Sequence, residues 1–428
     1  MGHSRSLPAW LTRTLLALAL LVMAGSAVFG AVVVVQSHLT GVPESSDRPG
    51  GVLDYVAFHA AARLVREGDG DKMYDLTAVG RVETETVGRP IGGETVLPFF
   101  NPPFVAVAFA PFAGLDLSSF VAVLFALNLV LFVVTAIVME KMLALQSRRE
   151  RLFYWLFSVS LFPVFALFIQ QQLTLWICLA WLGLVSFETR GKSGWAGASL
   201  ALGLVKPQMV LLPLLFLVLH RRWQTLAWFG AAAAPLVLVS IAVVGPQGVV
   251  DYPRFLLDST SWETNGINAR QMFGWNGLIA DLTGDLSPAR AVLLAFALPT
   301  LALVAWSWRG DWHSQLERLP GLMGLSLIAA LLINPHLYLY DMTLAGLALG
   351  LGVVQARRRD GSLGVWPLLA MAFWVAQLPL PGADYSRGFP LISLAAVVLF
   401  GLLWHGVRQG REASNAPEVV RTTERLAA

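Results

Sequence analysis

The chain has 428 residues, of which 56% are hydrophobic and only 13% charged, with a mean hydropathy of +0.65. A soluble domain carries roughly 25% charged residues, so a soluble fold of this size lacks the polar side chains to cover its surface, and the composition points to an all-α polytopic membrane protein. Intrinsic disorder, a nucleic-acid-binding domain and a disulfide scaffold are excluded; the net charge of +3 decides little, and the lone Cys178 can form no intramolecular disulfide.

In chain order, apolar runs fall at 14–36, 98–115, 117–139, 152–169, 173–187, 195–219, 223–244, 289–308, 320–334, 338–355, 364–380 and 388–407. A span needs about 20 apolar residues. The first run has no small-residue cleavage site before Gln36 and reads as an anchor rather than a cleaved signal peptide. Two runs are ambiguous. The 98–115 run opens on Pro98-Phe99-Phe100-Asn101-Pro102-Pro103 and reads as interfacial or re-entrant. The 195–219 run is split by Lys206-Pro207-Gln208. It is either one span with a lysine in mid-membrane or two half-spans meeting at Lys206, and the cost of a lone buried lysine favours the second.

Charge placement tests this choice through the positive-inside rule. With 98–115 not crossing and 195–219 folded as a hairpin, nineteen of the 30 basic residues fall on the inner face, and the acids gather outside. If both runs cross, the six basic residues between 141 and 192 move outside and the asymmetry mostly disappears. The expectation is about 12 transmembrane or half-spanning helices in a single domain over 1–408. Both termini are cytoplasmic, and the polar tail at 409–428 is disordered. The outer face receives a first loop (37–116), a turn at Gln170-Gln171-Gln172, the Lys206 tip and a second loop (245–288). It also receives Asn334-Pro335-His336 and a short loop around Asp384.

Within the first outer loop, Tyr55, Phe58, Ala62 and Val65 recur at helical spacing, with Asp54 at the N-cap and Gly68 at the stop. This predicts a short amphipathic helix at the membrane surface. Asp54 is then either only a cap or an ionised carboxylate at the lipid interface, able to act as a general base.

The residues 54–75 follow the pattern Asp-aromatic, then Phe58, alanines, Gly68 and Tyr74-Asp75. Phe100-Asn101-Pro102-Pro103 leads to Phe109-Ala110-Pro111; then come Gly203 to Lys206-Pro207-Gln208, Pro213, Arg221-Arg222-Trp223, and Asn334-Pro335-His336 with Tyr338 and Tyr340-Asp341. Together these resemble glycosyltransferase family 87, of the GT-C superfamily of polytopic membrane glycosyltransferases, over roughly residues 14–345. The resemblance implies transfer of a sugar, with inversion, from a polyprenyl-phosphate carrier to a lipid or glycan acceptor on the outer side of the bacterial inner membrane. Mannose is the usual sugar and arabinofuranose occurs in some members. Asp54 falls where the family's base is expected. Gln170-Gln171-Gln172-Leu173 stands where many members have a Gly-Gln-x-Asn motif, which puts any sugar contact there in doubt.

The residues fit that chemistry on their own terms. An acceptor hydroxyl gives its proton to Asp54, and a lipid phosphate leaves with growing charge that fixed cations stabilise. Lys206, His336 and Arg270 are the candidates for phosphate binding, against snorkelling, packing and a solvated loop charge respectively. Tyr55, His59, Asp75, Asn101, Gln171, Gln208, Tyr338 and Asp341 are candidates for acceptor or sugar contact; Asp75 can equally cap a turn, and Tyr338 can be an interface aromatic. His, Cys and acidic residues show no metal-ligand spacing, and no Walker or dinucleotide motif is present, so no cofactor is expected. The partners expected are the lipid-linked donor, the acceptor and membrane lipids. A transporter or flippase would instead carry charges in mid-membrane and usually internal repeats, whereas here few spans carry any charge, the acids crowd the outer face and no repeat is evident; a membrane scaffold would make Asp54 dispensable.

Overall fold

The computed structural model describes residues 9–39, 53–91, 93–259, 272–283, 289–334, 336–361, 366–377 and 390–415. Among them every regular element is helical. The chain opens with α1 (Ala9–Leu39), whose Leu21, Val28, Phe29 and Val35 point outward, as acyl chains require. The long segment between α1 and the next membrane-length helix holds α2 (Tyr55–Glu67), α3 (Leu76–Val87) and α4 (Pro103–Phe109). α2 differs from the expected surface helix. Nine of its thirteen residues are buried, because α3 and α4 pack on it, and only the edge with Arg63, Arg66 and Glu67 stays near solvent. Pro103 starts α4 with its fixed φ, and a 3-10 turn at Ala110–Phe112 ends it, so 98–115 makes no helix long enough to cross.

α5 (Leu117–Leu143) is capped by Asp116, which accepts the Ser119 N–H. α6 (Arg148–Ser160) and α7 (Phe162–Gln170) form one broken path, bent by 47°, where Pro163 enters the first turn of α7 and removes a donor from the ladder. α8 (Thr174–Glu188) leads to α9 (Ser193–Leu200), a 3-10 stretch to Val205, Lys206, a second 3-10 stretch at Pro207–Val210 and α10 (Leu211–Leu219). The two arms are a hairpin whose feet are tied together: Arg222 donates to Glu188 at 2.9 Å and to Ser193 at 2.8 Å.

α11 (Trp223–Ser259) runs fifteen residues beyond the expected end at 244. Gly245, at φ 71° and ψ 170°, breaks it, but Pro246 then serves as the first residue of a new helical piece. The segment expected to be a second long loop, 245–288, therefore begins as helix. It also contains α12 (Trp275–Thr283). α13 (Ala289–Ser307), α14 (Trp312–Ile333), α15 (Thr343–Asp360), α16 (Trp366–Ala376) and α17 (Pro390–Asn415) complete the chain. α17 reaches seven residues into the segment expected to be disordered. α14 is the axis of the core, nearly every residue from Arg318 to Leu332 being buried. It crosses α15 closely at Gly324, where a Cβ would come within 2.9 Å of the Ala348 carbonyl.

Among the described residues, six helices are long and apolar enough to cross a membrane, at 17–38, 117–143, 223–258, 312–333, 339–360 and 391–409, and the bent α6–α7 pair makes a seventh path. α8 and α16 are apolar but shorter than a full span. The protein is an all-α, membrane-embedded polytopic chain.

Candidate active site

Asp54 starts α2 with helical backbone angles, φ −54° and ψ −27°, and makes no side-chain bond to the helix it begins. A capping residue normally sits in the extended region, as Asp75, Asp116 and Asp311 do here. The Asp54 carboxylate is turned instead toward the turn after α7. Gln172 Nε2 donates to its Oδ2, and Gln170 Oε1 accepts its backbone N–H at 2.9 Å. Burial pushes its proton affinity above the ordinary carboxylate range, while the Gln172 bond, the Lys206 charge and the Tyr340 hydroxyl pull it back.

Lys206 reaches the same spot from the hairpin tip. Its Nζ lies 2.6 Å from Asp341 Oδ1 and 4.9 Å from the centroid of the Tyr340 ring. Asp341 is buried and also accepts the Thr174 hydroxyl at 2.9 Å. An apolar hairpin can carry a lysine to this depth because its charge is compensated there. Asn101 secures the arrangement from the segment just before α4: its Nδ2 donates to the Val205 carbonyl at 2.9 Å, one residue before Lys206. The Tyr74 hydroxyl donates to the Asn101 carbonyl at 2.9 Å.

An aromatic layer lies beside this cluster. His336 stacks on Phe100 with centroids 5.9 Å apart, Phe100 meets Phe255, and Tyr74 stacks on Tyr252. Tyr252 donates to the Phe100 carbonyl at 3.0 Å, which fastens the second half of α11 to the segment before α4. Burial lowers the His336 pKa to about 4, so at neutral pH it can offer a phosphate an N–H but no charge.

The other candidates lie elsewhere. His59 is packed edge-on against Phe120 and faces the Leu115 carbonyl and Thr86, away from Asp54. Asp75 caps α3 through the Thr77 N–H at 2.8 Å. Tyr55 is buried in the core, Gln208 is exposed beyond the hairpin tip, and Tyr338 packs on Tyr340. Gln171 turns away from Asp54 into the bundle, where it accepts from Asn128 at 3.0 Å. Arg270 lies outside the described residues. Among the described residues, no three His, Cys, Asp or Glu side chains gather as a metal-binding group.

Residues 99–335, more than half of the chain, match the model of Glycosyltransferase family 87. The chain belongs to glycosyltransferase family 87. Neither the curated proteins nor the solved structures contain a significant match. In this family 87 chain the matched segment contributes Asn101, Gln170, Gln172, Thr174 and Lys206 to the cluster, whereas Asp54, Tyr340 and Asp341 lie outside it and are brought in by the fold.

Sequence reading missed Gln170, Gln172 and Thr174. Their signal was available as three polar amides and a hydroxyl inside an apolar stretch. Which amide faces Asp54 is decided by the left-handed backbone of Gln171, φ 53°, a conformation usually reserved for glycine.

Proposed function

We propose that this membrane glycosyltransferase moves a hexose, mannose foremost, from a polyprenyl-phosphate carrier to a lipid or glycan acceptor with inversion. The site faces the outer side of a bacterial inner membrane, and both termini are cytoplasmic. Asp54 is the general base. The observation that carries this reading is that the Asp54 carboxylate is withheld from its own helix and sits beside the only lysine held at the hairpin tip.

In the reaction, the acceptor oxygen forms a bond to the anomeric carbon as its proton passes to Asp54, and the bond from that carbon to the phosphate oxygen breaks. The carrier phosphate leaves with the electron pair. Burial serves the base here, because a carboxylate with raised proton affinity takes a proton more readily. Lys206 stabilises the leaving phosphate, sharing its charge between Asp341 and the arriving anion. The Phe100–His336 layer supplies flat surfaces for the sugar and the first isoprene units, with the His336 N–H available to phosphate. No cofactor enters this scheme.

The test is transfer from radiolabelled polyprenyl-phosphate mannose to a host lipid extract in reconstituted membranes, comparing wild type with Asp54→Asn. Transfer by wild type alone supports donor and base together. Equal transfer by both overturns the role of Asp54. Transfer by neither overturns mannose as the sugar, and an arabinofuranosyl carrier is then the donor to try.

A further inference from the structure

Three successive glutamines follow α7, and they divide their work. Gln170 accepts the Asp54 backbone N–H and Gln172 donates to the Asp54 carboxylate. Gln171, between them, turns inward. Its Oε1 accepts from Asn128 Nδ2 on α5, its Nε2 donates to the Phe168 carbonyl, and it lies 2.9 Å from His38 Nε2 at the end of α1. Gln171 and Asn128 are both buried, and Asn128 sits in the middle of a 27-residue apolar helix. A polar side chain is costly there unless it is bonded. The Asn128–Gln171 bond satisfies it, and it fixes the turn from which Gln170 and Gln172 extend.

We propose that Gln172 is the positioning residue of the base, holding the Asp54 carboxylate by donation to one oxygen, and that Gln171 anchors this grip in the wall formed by α1 and α5. The inference rests on Asp54 being the base. Only the NH2 end of the amide can donate, so the bond holds that end of Gln172 toward the carboxylate and restrains Oδ2. It also favours the ionised form, against the burial that favours the neutral one. The other charged or titratable groups facing Asp54 are Lys206 and Asp341, with the Tyr340 hydroxyl. They stay in place when Gln172 is changed, so a change in the titration of activity reads Gln172.

The experiment is the pH profile of kcat/KM for mannosyl transfer in reconstituted membranes, with wild type, Asp54→Asn, Gln172→Glu and Gln172→Leu. Gln172→Glu keeps the size of the side chain and replaces the donor by an acceptor. Gln172→Leu removes all bonding. Retention of a donor makes Gln172→His the rescue variant. The expected result is an acidic limb moved upward by roughly one to two pH units in the Glu and Leu variants. The donor KM should be little changed, and Gln172→His should return the limb toward wild type. A purely structural glutamine would lower activity at all pH values and leave the limb in place. An unmoved limb in both variants, or in whichever of them folds, overturns the inference while Asp54→Asn remains inactive. Full activity of Asp54→Asn instead overturns the underlying assignment of the base.

Discussion

Lys206 and Asp341 meet as a 2.6 Å ion pair, Lys206 at the tip of the α9–α10 hairpin and Asp341 just before α15. The pair joins two halves of the core, and its carboxylate is almost wholly enclosed. Removing one partner of a buried pair leaves the other uncompensated, at a cost of about 3–5 kcal/mol. Asp341→Asn is therefore expected to lower the unfolding temperature in detergent clearly. Joining Lys206→Met to Asp341→Leu should restore much of that stability, yet transfer should stay absent because the phosphate has lost its cation. Thermal unfolding and transfer assays on the same preparations separate the two effects.

Asn101→Ala should act on rate through placement. Without the bond to the Val205 carbonyl the hairpin tip loses its tether to the segment before α4. A small displacement of a catalytic cation lowers rate strongly, about a hundredfold for an ångström. We expect kcat to fall by about tenfold or more with stability reduced by about 1–3 kcal/mol. A kcat within twofold of wild type would show that the tip holds its place unaided.

Glu83, on α3, is buried, and it accepts the Leu97 N–H at 3.2 Å. Burial raises its pKa to about 8. The folded state thus keeps a proton that the unfolded chain releases near 4.5, so this group makes stability fall as pH rises from about 5 to 8, and adds no further slope above that. Glu83→Gln should remove the slope, be more stable than wild type at pH 8, and differ little from it at pH 4.5. Unfolding temperatures measured across that range check the sign.

Gly245→Ala places a side chain at φ 71° and ψ 170°, a conformation essentially confined to glycine and costing about 1–3 kcal/mol otherwise. Relaxation toward a straight α11 would lift Tyr252 from the Phe100 carbonyl and Phe255 from Tyr74. The expected outcome is a raised KM for the lipid donor with a smaller change in kcat. Tyr252→Phe, which loses only the hydroxyl, should show a weaker form of the same effect.

Much of this was legible in the sequence. Apolar runs located α5 and the hairpin to within a few residues, and charge asymmetry favoured the reading in which Lys206 sits at a fold rather than in mid-span. Asp54, Lys206 and Asp341 stood out because charge is expensive in such a chain. What could not be read was direction. Gln171 and Gln172 have the same chemistry, and a backbone angle decides which faces Asp54. Asp75 and Asp54 both looked like caps, yet only Asp75 is one. The continuation of α11 past Gly245 was hidden because Gly-Pro ends one helix and begins the next with the same two residues.

The tied feet of the α9–α10 hairpin bear on how the chain is made. Arg222, bonded to both Glu188 and Ser193, keeps Arg190, Lys192, Arg221 and Arg222 together on one side. During synthesis an apolar loop can therefore enter the bilayer as a unit and carry a single ammonium group inward, while the basic cluster stays together at its base. The Lys206 ammonium is delivered without dragging a row of charges through lipid, and its counter-ion arrives only when the later segment with Asp341 folds against it. Until then the tip has no partner, so a chain cut short before residue 341 should be a poor resident of the membrane and an early target for quality-control proteolysis.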